Sequence, residues 1–112
     1  MKFYISLPDP NAARGAKSQL SFSAHGAETF AEQLRHALSD PAYIQSWLAG
    51  LDEDDAANVD PQLLARACSA QVCGAQRGLG CSLVADTSLN GAAFKHRMRL
   101  LAGSQWQLTD VK

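Results

Sequence analysis

Asn90-Gly91 constrains this chain more than any other pair of residues, because a tight hairpin turn needs positive φ at both central positions and Asn-Gly accepts it readily. Taken as such a turn, it pairs outward from Leu89 opposite Ala92. Thr87 then faces Phe94, Ala85 faces His96, Leu83 faces Met98 and Cys81 faces Leu100. Successive strand residues point to opposite sides, so the same register sets Asp86 against Lys95, Val84 against Arg97 and Ser82 against Arg99. An odd loop at residues 102–104 continues the pattern, matching Leu100 with Trp106 and Met98 with Leu108. A turn at Arg77-Gly78 pairs Val72 with Leu83 and leaves Gln71 and Cys73 on the polar side. The expectation is a meander with an apolar inner face, centred on Leu83, Met98 and Trp106, and an outer face carrying Lys95, Arg97 and Arg99.

A sheet with one apolar face needs a covering layer. In GAETFAEQLRHAL the apolar positions 27, 30, 31, 34, 37 and 38 form one helical stripe. The next segment opens on Asp40 as N-cap and Pro41 at the first helical position, with Ile44, Trp47, Leu48 and Leu51 on one side. A second Asp-Pro start, Asp60-Pro61, predicts a short third helix through Leu63, Leu64 and Ala67. KFYISL and QLSFSA alternate as strands, and the polar segment between them, residues 8–18, reads as the most mobile loop. The order is β-β-α-α-α-β-β-β-β: one α+β domain over residues 1–112, two-layered, mostly antiparallel, with helices on one face and the other face polar.

Composition narrows the function classes. The chain is 46% hydrophobic and 19% charged with a formal net charge of −1, which offers nucleic acid or anionic membranes no global attraction. The apolar stretch before Pro8 is too short for a leader or a membrane span, so a cytoplasmic protein is expected. Cys68, Cys73 and Cys81 match neither a metal knuckle nor a disulfide framework and read as reduced thiols. The acidic run LDEDDAANVD lacks the glycine and glutamate of a calcium loop, having Ala57 and Leu63 there. No metal and no cofactor are expected.

The sharpest local pairing is His96 opposite Asp110, since a carboxylate beside an imidazole sets its tautomer and supports its charge. These two are the catalytic candidates, although no nucleophile or phosphate-loop motif accompanies them. Lys95, Arg97 and Arg99 on alternate strand positions are the candidate binding residues, with single-stranded nucleic acid as an alternative ligand. His25 and His36 read as exposed. KFYISL resembles, through Phe3, Tyr4, Ile5 and Leu7, the first-strand motif of RNA-recognition motifs, but KHRMR lacks that family's outward aromatic. The closing GSQWQLTDV is similar to the last strand of cystatin-like cup-shaped domains, which implies a small-molecule cup; the two-strand opening departs from that pattern. The reading that results is a non-catalytic domain that binds another protein or itself through a sheet edge or the polar sheet face. The alternatives are a ligand-binding or enzymatic cup with His96 and Asp110 at its mouth, then weak nucleic-acid binding.

Overall fold

Alternation in KFYISL becomes a strand, β1 (Lys2–Leu7), which buries Phe3, Ile5 and Leu7 and turns Tyr4 and Ser6 outward. The computed structural model describes residues 1–15, 20–23, 26–64 and 70–112. After β1 come α1 (Ala27–Ser39), α2 (Pro41–Ala49), α3 (Glu53–Ala57), the strands β2 (Ala70–Arg77) and β3 (Gly80–Thr87), α4 (Gly91–Ala102) and β4 (Gln107–Val111). The strands form an antiparallel sheet in the order β2-β3-β1-β4, giving an α+β fold of two layers. Among the described residues no helix is long and apolar enough to cross a membrane.

The helical readings of the N-terminal half become α1 and α2. α1 buries Phe30, Ala31, Leu34, Ala37 and Leu38, the stripe the 3.6-residue period requires. Asp40 caps α2 through its side chain, which accepts a hydrogen bond from Ala42 N at 2.9 Å. The Asp60-Pro61 start yields a 3₁₀ turn, Pro61–Leu64; the rest of that expected helix lies outside the described residues. The acidic run supplies α3, a helix the periodicity did not suggest.

Two strand expectations are corrected. Leu20, Ser21, Phe22 and Ser23 form no strand; Phe22 N instead donates to Leu101 O at 2.9 Å, and both Leu20 and Phe22 are buried. The ends of QLSFSA lie outside the described residues. The larger correction concerns residues 94–101, which belong to α4. Asn90 is extended at φ −69° and acts as N-cap, its Oδ1 accepting from Ala93 N at 2.8 Å. Gly103, at φ +64°, ends the helix. The buried set Ala93, Phe94, Arg97, Met98, Leu101 and Ala102 is a helical stripe. Thus Lys95, Arg97 and Arg99 share no sheet face, and β3 pairs with β1 and β2 rather than with residues 92–100.

The β2–β3 turn is legible in outline only. Val72 pairs with Ala85, two residues from the expected partner Leu83, so the faces are kept while the register slides. Gly78 takes φ +61° in that turn. Leu83 and Met98 are both buried, but in different layers, and Trp106 is half-buried ahead of β4 with Nε1 donating to Gly103 O. The segment expected to be the most mobile is tied down over its described part: Ala13 is buried and Gly15 N donates to Leu101 O at 3.1 Å.

The core lies between the inner sheet face and the helices. Phe3 on β1 stacks on Phe94 of α4 at 4.0 Å between ring centroids, joining the layers. The outer face carries Tyr4, Ser6, Ser82, Val84, Asp86, Gln71, Cys73 and Ala75, none of them buried.

Candidate functional site

His96 and Asp110 are not brought together. Asp110 sits on β4 opposite Tyr4, exposed, with its Oδ2 3.6 Å from Lys112 Nζ and its Oδ1 accepting from Val111 N. His96 lies on α4, where the edge of Trp47 meets its ring at 4.3 Å between centroids. The strand parity that joined the pair fails because residue 96 is helical. His36 is exposed as expected and lies 3.6 Å from Glu32; His25 lies outside the described residues.

Arg97 is the polar residue the sequence reading placed worst. It is 1% exposed, and its guanidinium clamps separate parts of the chain. Nε donates to Ala37 O at 3.2 Å, in the last turn of α1, and Nη1 donates to Leu63 O at 2.7 Å, in the 3₁₀ turn. A cation at a helix C-terminus meets the carbonyls that no backbone N–H satisfies. Arg97 is thereby a structural staple rather than a surface cation. The overlooked clue is the bracket formed by Asn90 and Gly103, a cap and a stop at helical spacing around residues that favour helix.

Lys95, His96 and Arg99, by contrast, share a cleft of about 460 Å³ with Leu63, Gly91 and Ala92. Burial holds the His96 pKa down at about 4 against an ordinary 6.5, and the positive charges of Arg97 and Arg99 push in the same direction. The imidazole is therefore neutral at pH 7. Since the folded-state pKa lies below the unfolded one, this group's contribution to stability is full above about pH 6.5. It is expected to be lost as pH falls through the window from 6.5 to about 4. An NMR titration of the His96 ring, with urea midpoints for wild type and His96→Gln across that window, checks this. A ring that protonates near pH 6.5 contradicts the burial.

The second surface is the sheet margin. β2 pairs with β3 along all its eight residues, and its other edge has no strand partner among the described residues. The opposite edge, β4, is short, bulged beside Thr109, and carries Asp110 near its end with Lys112 just beyond, which are recognised ways of blunting an edge. β2 has no proline and no bulge, and its one charge, Arg77, is at its end. At the other end of the β2–β3 pair, Gln71 and Asp86 line a polar cleft of about 380 Å³ with Met1, Thr87 and Ser88.

No family model, curated protein or solved structure matches this chain. Among the described residues, no three His, Cys, Asp or Glu side chains are grouped so as to hold a metal ion. Cys73 is exposed and Cys81 buried, both as free thiols, while Cys68 lies outside the described residues.

Proposed function

We propose that the protein is a non-catalytic interaction domain that self-associates by pairing β2 antiparallel with β2 of a second copy. The observation that carries this reading is the asymmetry of the sheet edges: among the described residues, β4 bears blunting features and β2 lacks them. A two-fold axis perpendicular to the sheet keeps the helices of both copies on one side and pairs residues of like parity. Centred on Gly74, such pairing sets Arg77 of each copy against Gln71 of the other. Gln71 is the cross-strand neighbour of Asp86 on the same sheet face. Arg77 of one copy then reaches the Asp86 cleft of the other, so the ends of the paired strands are complementary in charge. The cytoplasm suits this assembly, because a reducing compartment keeps the exposed Cys73 a thiol.

Sedimentation equilibrium over a range of concentrations tests the reading. Wild type is expected to form a concentration-dependent dimer, Arg77→Asp and Asp86→Arg each to weaken it, and the double exchange to restore it. Wild type that stays monomeric at millimolar concentration, or an Arg77→Asp variant that dimerises as wild type does, defeats the proposal. Association unaffected by β2 and abolished by changes at Tyr4 or Val84 would move the interface to the outer sheet face instead.

A further inference from the structure

We infer that the cleft on α4 binds a small molecule through a terminal phosphate, held by Lys95, Arg99 and the ring of His96. Its volume, about 460 Å³, lies within the usual range for small-ligand sites. Lys95 and Arg99 are one helical turn apart, so their side chains are neighbours on the helix surface. No carboxylate lines the cleft among the described residues, and neither cation is ion-paired there.

His96 supplies the third donor. Guanidinium nitrogens only donate, and Arg97 Nη1 lies 3.5 Å from His96 Nδ1. The tautomer with its proton on Nε2 suits that contact and gives the ring a neutral N–H donor. Trp47 fixes the plane of that ring. Gly91 lines the cleft, and a Cβ there would meet nothing within 4 Å, so the space beside it is open.

A phosphate monoester fits this set better than a carboxylate does. It carries nearly two negative charges and three terminal oxygens, against one charge and two oxygens. A polynucleotide would need a track of cations to bind through its backbone. Here Lys2, Arg77 and Lys112 belong to the sheet and its flank, and among the described residues the cations lining the cleft are Lys95 and Arg99. The β2 edge takes no part, so this inference and the dimer stand or fall separately.

The test is an NMR titration with phenyl phosphate at constant ionic strength, repeated with a single-stranded oligonucleotide. In wild type, the shifts of residues 91–99 are expected to saturate with phenyl phosphate. The Lys95→Ala/Arg99→Ala variant is expected to bind at least about tenfold more weakly, a loss of the size that removing charged hydrogen bonds produces. Both positions are exposed, so the variant should keep its fold, which circular dichroism verifies. The control pair Lys2→Ala/Lys112→Ala is expected to bind as wild type. Gly91→Phe, which adds a ring without altering charge, is expected to occlude the cleft. Any of four results overturns the inference: no saturating shift at α4, an equal loss in the control pair, undiminished binding by Gly91→Phe, or tighter binding of the oligonucleotide.

Discussion

Arg97→Ala is expected to destabilise the fold by roughly 3–4 kcal/mol, a large share of the 5–15 kcal/mol that holds a domain of this size together. Its Nε and Nη1 bonds satisfy the carbonyls of Ala37 and Leu63, and the side chain is 1% exposed. Truncation leaves those carbonyls without these donors and opens a cavity between α1, α4 and the 3₁₀ turn. Removing the buried charge recovers some desolvation, which keeps the cost below that of breaking a buried ion pair. Arg97→Met, which nearly preserves volume, separates the contributions: about 2 kcal/mol should remain as the cost of the lost hydrogen bonds. Urea denaturation checks both, with Lys95→Ala and Arg99→Ala expected within about 0.5 kcal/mol of wild type. Equal and small effects at positions 95, 97 and 99 would mean that all are surface cations.

That comparison also shows where strand parity misled. From Phe94 to Leu100 the residues alternate apolar and basic if His96 is counted with the apolar set, so a period of two fits the segment. A period of 3.6 fits only if Arg97 is accepted inside the core between Phe94, Met98 and Leu101. Hydropathy counts arginine as a solvent residue. It cannot show that the end of α1 and the 3₁₀ turn present carbonyls for that arginine to clamp. A reversal of all three cations to glutamate, harmless on a solvent-facing strand, would here place a carboxylate against those carbonyls. The local signals were otherwise sufficient for α1, α2 and β1 and for the sorting of residues in β2 and β3. These elements have undisturbed patterns, whereas α4 carries a buried charge. The cleft with Lys95, His96 and Arg99 was illegible for the same reason, because it exists only once residue 96 is on a helix beside Trp47.

Gly74→Val should be destabilising by about 3 kcal/mol, although strand propensity alone argues the opposite sign. Valine is favoured over glycine in strands by up to about 1 kcal/mol, and β2 is a strand whose neighbours are small. Position 74, however, faces the core opposite Leu83, beneath the start of α1. A Cβ there would stand 2.3 Å from the carbonyl oxygen of Ala27 and 2.8 Å from its carbon. These are backbone atoms of the first residue of α1, so no rotamer change relieves the collision. The helix must rise from the sheet or β2 must bend away, and either movement loosens the packing of Phe30, Ala31 and Leu34 on the inner sheet face. Ala75→Val isolates the propensity effect, since residue 75 is exposed on the outer face, and it should be neutral or mildly stabilising. Opposite signs for these neighbouring substitutions in urea denaturation are the expected result. If Gly74→Val is as stable as wild type, α1 does not lie as close to β2 as the glycine allows.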